Sequence, residues 1–234
     1  MNGNVVERRK PDRNRMSTRL AHPPFTFTVG PFVPGTLEAF GYIGRRQVAS
    51  FAVRTPGAID RLALSVDFTG RPPSGREKDV FFCHASLMDS HGTVVPDAWQ
   101  NVAFGATGDL SLVGANPFST DAGIASIVVE TKPRSASGEV FALSIVRNGN
   151  EARIFGAGLP LLVRATPFEV RYTTGGSAPN ASSRLYTSPV TGSNRIRAAI
   201  LVDGHVVAAL DETTPKFRIQ GSEAPKTRDP FRHS

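Results

Sequence analysis

Acid–base chemistry by carboxylates needs two groups held in one cleft, about 5 Å apart when one attacks and wider when a water lies between them. The acids of this 234-residue chain, including Asp67, Glu77, Asp79, Asp89, Asp97, Asp109 and Asp121, fall in turns and on polar strand positions. None of their spacings sets a pair at the ends of parallel strands, so they are read as turn and surface groups. His84 and His91 lack a third ligand at zinc-like spacing, and the single cysteine, Cys83, excludes a disulfide or a cysteine metal site. No Gly-x-Ser-x-Gly elbow, Walker loop or dinucleotide fingerprint is present, so no catalytic residue, cofactor or metal is expected. Three aromatic residues could instead bind. Trp99, Tyr172 and Tyr186 are the candidate carbohydrate-binding set, since sugars stack on exposed rings. For Trp99, the only tryptophan, packing over the rim of a core or into a gap between domains is the favoured reading, because a packed aromatic buries about 150–250 Å2.

The elements that must position these residues are strands. In DVFFCHASLMDSHGTVVPDAW (79–99), Phe81, Cys83, Ala85 and Leu87 share one face of a period-two run. His84 lies on the other face, which separates it from Cys83, a buried inert thiol. Asp89, Ser90 and Gly92 supply a turn, and a second strand is expected from Thr93. Leu62, Leu64, Val66 and Phe68 make another apolar face, followed by a turn over residues 71–76. IASIVV (124–129) and VFALSIV (140–146) bring the total to about seven strands with turns every 8–12 residues, as in an immunoglobulin-like sandwich. Asp203-Gly204, between AAILV and HVVAAL, reads as a two-residue hairpin, and Gly156 to Pro160 reads as a linker.

The net charge of +7 is a property of the ends. Residues 1–20 carry six Lys or Arg against two acids and residues 216–234 carry five against two, which leaves the body neutral. A nucleic-acid surface needs its basic stripe on a folded face, so both ends are read as disordered tails and no nucleic-acid partner is expected. No apolar run approaches membrane-spanning length, and the first twenty residues lack the apolar region of a secretory signal.

Ala85, Leu87, Asp89, Gly92, Val94, Val95, Pro96, Ala98, Asn101, Val102 and Phe104, then Gly114, Asn116 and Pro117, follow a pattern that resembles the C-terminal β-sandwich domains of β-galactosidase-type glycoside hydrolase family 2 enzymes. AGIASIVV (122–129) resembles a strand of the same domains. The chain departs from the pattern at Trp99 and Ala115. PGTLEAFGY (34–42) is similar to the hairpin that ends the preceding immunoglobulin-like domain. Tyr172, Thr173, Gly176, Ser177, Pro179, Ser183, Tyr186, Pro189, Val190, Arg197 and Ala198 resemble the small sandwich appended to chitobiases, with Gly175 in place of an Asp.

The expected architecture is all-β: tandem immunoglobulin-like β-sandwiches with disordered basic termini. The divisions are a tail over 1–22, the last strands of a partial immunoglobulin-like domain over 23–56, a complete sandwich over 57–155, a chitobiase-like sandwich over 161–220 and a tail over 221–234. The family's catalytic glutamates lie on a barrel that nothing here matches, and a (β/α)8 barrel alone takes about 250 residues. The resemblance therefore implies a non-catalytic accessory region, a fragment whose partner is a catalytic glycoside hydrolase domain on the same or a neighbouring polypeptide. Parents of this kind are often exported; the compartment of this chain is not read from its sequence. An independent carbohydrate-binding module is the alternative.

Overall fold

The computed structural model describes residues 1–68, 70, 77–133, 137–161 and 165–213. Fifteen strands follow in chain order: β1 (Thr36–Ile43), β2 (Arg46–Arg54), β3 (Arg61–Asp67), β4 (Val80–Met88), β5 (Asn101–Gly108), β6 (Leu110–Val113), β7 (Phe118–Ser119), β8 (Ile124–Thr131), β9 (Gly138–Asn148), β10 (Glu151–Pro160), β11 (Glu169–Thr173), β12 (Arg184–Leu185), β13 (Val190–Thr191), β14 (Arg195–Val202) and β15 (His205–Thr213). One 3-10 turn, Ser17–Arg19, accompanies them. The chain is all-β.

A first sheet, ordered β3-β4-β8-β6, packs on a second, ordered β13-β10-β9-β5-β7. The alternating face of β4 fills the space between: Phe81, Cys83, Ala85 and Leu87 are buried with Leu62, Val102, Phe104, Ile127, Val129 and Val140. Asn116 completes this sandwich at an edge. Its side chain accepts from the Phe104 N–H and donates to the Phe104 carbonyl, both at 2.8 Å, continuing the ladder of β5 beyond its pairing with β7. That duty explains an Asn at this corner without a ligand.

The opposite face of the second sheet is also buried. A third sheet, ordered β12-β11-β14-β15, covers it and packs Tyr172, Ile196, Ala198, Ile200, Val202, Ala208 and Leu210 on Ala103, Phe141, Leu143, Ile145, Ala152 and Ile154. Strand β9 thus sends Val140 and Ala142 into one core and Phe141, Leu143 and Ile145 into the other. A strand buried on both faces reads as a continuous apolar run, which VFALSIV is. The stack has three layers and two cores, and β13 crosses from the third-layer segment to pair with β10.

Here the structure corrects the sequence reading. Gly156 to Pro160 is the second half of β10, fully paired with β9, and no linker. The glycines are there for close approach: a β-carbon on Gly156 would lie 2.8 Å from Val170, and one on Gly105 only 2.2 Å from the Val207 carbonyl oxygen. No strand starts at Thr93. Only an isolated bridge between Met88 and Val94 forms there, and the next strand begins at Asn101. The alternation at Phe25, Phe27 and Val29 forms no strand either.

The Asp203-Gly204 hairpin does form, with φ of 49° and 78° at its two central residues, the left-handed pair that a tight two-residue turn requires. Residues 1–22, expected as a disordered tail, hold no strand and return along 24–36, where the Asn2 N–H donates to the Thr36 carbonyl and Thr26 to the Asp12 carboxylate. The turn expected over 71–76 and the tail over 221–234 lie outside the described residues.

Among the described residues, strands β1 and β2 pair only with each other, as a separate two-stranded ribbon. Their register puts Leu37, Ala39, Gly41 and Ile43 beside Val53, Phe51, Ala49 and Arg46 on one face. That largely apolar face is open, with Phe51 70% and Ile43 74% exposed.

Candidate functional site

The connection from β4 to β5 and the connection from β2 to β3 meet at one end of the first sandwich. Asp89, 1% exposed, joins them. Its carboxylate accepts from the N–H groups of His91 and Thr93 in its own turn and from Gly57 in the other connection, all at 2.9 Å. These bonds, Gly57 and Thr93 foremost, hold its carboxyl below the ordinary aspartate value against the opposing effect of burial. Asp89 is a structural anchor with its acceptor sites used.

Nine residues after Asp89, at Ala98, the loop is pinned again. Thr120, 1% exposed, donates from Oγ1 to the Ala98 carbonyl at 2.5 Å and accepts at the same oxygen from the Gln100 N–H at 2.9 Å. Its own N–H donates to the Gln100 carbonyl at 2.8 Å. The residues either side of Trp99 are thereby fixed, and Ala98 is buried. The indole goes outward and is 69% exposed. The reading that favoured Trp99 as a rim or gap filler is corrected: its backbone neighbours do the packing and the ring stands clear. An open depression of about 510 Å3 lies at this end of the sandwich, lined among others by Thr55, Gly57, Asp97, Ala98 and Gln100, and Trp99 is not part of its wall.

Tyr172 and Tyr186, also expected to bind sugar, lie in the third layer rather than beside Trp99. Tyr172 is 8% exposed within the second core. Tyr186 meets it edge-on at 6.2 Å and the Arg184 guanidinium lies 5.7 Å over its ring, so Tyr172 offers no open face. Tyr186 is partly buried against the same core.

Cys83 is fully buried, and burial pushes its thiol up to about 12, which suits an inert core residue. His84 points to the other face, 2.7 Å from the Ser126 hydroxyl and stacked on Phe82. Among the described residues no group of His, Cys, Asp or Glu is arranged to hold a metal ion, and no helix is long and apolar enough to cross a membrane. The acids of most contrasting character are Asp211 and Glu212. The hydrogen bond from Arg195 lowers Asp211, while burial raises Glu212 against the nearby Arg147. As consecutive residues of one strand they project to opposite faces, so they make no acid–base pair.

Residues 159–208 match the family model of the chitobiase/β-hexosaminidase C-terminal domain. A β-galactosidase of Thermoanaerobacter pseudethanolicus is 29% identical over 140 residues, 56% of this chain and 18% of that protein. A Formosa agariphila protein with a provisional β-glucuronidase name is 24% identical over 212 residues, 80% of this chain and 20% of that one. Among solved structures, a glycosyl hydrolase family 2 member from Bacteroides cellulosilyticus matches 56% of this chain and 18% of its own, at 24% identity and a TM-score of 0.43. The chain thus spans about a fifth of the length of the curated relatives it matches. In its sequence it resembles the C-terminal β-sandwich region of glycoside hydrolase family 2 enzymes, and residues 159–208 are its chitobiase/β-hexosaminidase C-terminal-like part.

Proposed function

We propose that the chain is a non-catalytic accessory region of a β-galactosidase-like glycoside hydrolase, working beside a catalytic domain on the same or a neighbouring polypeptide. The observation that carries this reading is the similarity to two named glycosidases over only 18% and 20% of their lengths. The ribbon β1–β2 supports it. A two-stranded ribbon is marginal in water, and one with an open apolar face gains stability only when another layer covers it. We read residues 23–56 as the end of an immunoglobulin-like domain whose remaining strands another segment supplies. The complete sandwich, expected over 57–155, then runs on to the end of β10 at Pro160, and the described part of the chitobiase-like module, 165–213, stacks upon it.

Two measurements test the reading. The purified chain should release no product from nitrophenyl β-galactoside or β-glucuronide, and turnover that disappears with a single carboxylate substitution would overturn the proposal. A polypeptide encoding a catalytic barrel beside this chain should co-purify with it and raise its melting temperature. Phe51→Asp, on the open ribbon face, should abolish that association and leave the two stacked cores folded.

A further inference from the structure

We propose that the outward face of the first sheet is a self-association surface, on which a second copy of this chain docks. The three-layer stack ends in two outward faces of opposite character. On the third sheet the outward positions carry Arg171, Arg195, Arg197 and Asp211, tied into the ion pairs Arg171–Glu169 and Arg195–Asp211, the finish of a sheet that faces water. On the first sheet the positions turned from the core include Val80, Phe82 and Val113, which are 57%, 50% and 46% exposed. Strand register sets Phe82 beside Val128 and Val128 beside Val113, so the patch is continuous across three strands. The Phe82 ring stacks on His84, and Ser126 holds that imidazole at 2.7 Å. An exposed apolar patch with an aromatic already fixed in place marks a contact surface.

Charge on the same face selects the occupant. Strand β3 begins at Arg61 and ends at Asp67, both exposed and both outward, because Leu62, Leu64 and Val66 between them face the core. A half-turn about an axis lying across the strands lays one β3 antiparallel over another. Arg61 then meets Asp67 of the second copy, twice over, and opposite charges complete each contact. Register pairs Arg61 with Met88 and Asp67 with Phe82, so the same half-turn sets each Phe82 against Met88 of the second copy, a favourable sulfur–aromatic contact. Near the axis stand Ala63, Ser65 and Ser86, small residues that let two sheets approach to about 10 Å. The four strands, the longest of nine residues, give a footprint of about 500 Å2 per copy. A pleated surface exceeds its footprint, so the pair buries more than about 1,000 Å2, the size at which specific interfaces begin. The two-stranded ribbon offers about half that footprint, too little for a dimer of its own. The inference goes beyond the accessory reading and uses a different surface from the ribbon, so each stands without the other.

Sedimentation equilibrium of the full chain from about 1 to 300 µM should show a reversible rise from 25.0 kDa towards twice that mass. Phe82→Asp and Ser65→Arg, both outside the two cores, should each weaken the association at least about thirtyfold while circular dichroism and cooperative melting stay those of the parent. Arg61→Asp should weaken it about tenfold, and adding Asp67→Arg to that variant should restore it. Phe51→Asp, on the ribbon, should leave it unchanged. A chain that stays monomeric to 300 µM overturns the proposal. So does a dimer that survives both Phe82→Asp and Ser65→Arg, one that Phe51→Asp abolishes, or a charge swap that restores nothing. A monomer whose first sheet gains hydrogen-exchange protection only when a co-purifying catalytic polypeptide is bound assigns the face to that polypeptide and overturns the second copy.

Discussion

Asp89 makes its contribution through charge, and charge can be removed by acid. Its carboxyl is lowered in the folded chain by bonds from Gly57, Thr93 and His91. Such a group stabilises the fold fully above its unfolded pKa, and the contribution is lost as pH falls through the lowered folded value. The Arg195–Asp211 pair acts in the same direction. Glu212, raised by burial, acts oppositely and favours the folded state more when protonated. Melting measured from pH 7 to pH 2 should therefore show a decline below about pH 4. Asp89→Asn should melt lower at pH 7 and fall less steeply in acid, and an unchanged slope would remove Asp89 as the cause. Its turn role is readable in the sequence from Asp-Ser-His-Gly; its grip on Gly57 is not, because that partner lies 32 residues away. The exposure of Trp99 is hidden for a similar reason. Whether a loop aromatic packs or projects depends here on Thr120, which no local pattern connects to it.

Strands show which signals reach across the chain. The face of β4 follows directly from alternation, and Ile127 on its neighbour β8 sits in the same core. Ile127→Ala should cost roughly 2–5 kcal/mol in chemical denaturation. Strand β10 is harder to read. Gly156, Gly158 and Pro160 are the residues that punctuate loops, yet Gly156 leaves room for Val170 of the third layer and Gly158 for Glu139 and Phe141 of β9. The feature that disguises the strand is the one that lets a second core form on it. Gly105 is the most constrained instance, since the atom facing it is a backbone oxygen that cannot swing aside. Gly105→Ala should lower stability by about 1–3 kcal/mol, measured by urea unfolding, and a neutral effect would mean that the third layer is not seated on β5.

For the molecule, the order of layers matters more than the number of sandwiches. Two tandem sandwiches would melt independently, whereas here Phe141, Leu143 and Ile145 of the central sheet belong to the second core while their neighbours on β9 belong to the first. Residues 57–213 should unfold in a single calorimetric transition, and a chain cut after residue 161 should aggregate through the uncovered sheet. Two well-separated transitions would show that the cores are uncoupled. Composition and turn spacing indicate strands throughout, but stacking two modules through one shared sheet is a long-range event that only the doubly apolar run of β9 hints at.

Cys83 turns this arrangement into a clock. The lone thiol lies inside the first core with no solvent-accessible surface, so an alkylating reagent reaches it only when that core opens. The rate of its modification in undenatured samples reads out how often the interior breathes. If β9 truly ties the layers together, loosening the far side at Gly105 should quicken alkylation on the near side, a coupling that mass spectrometry can time.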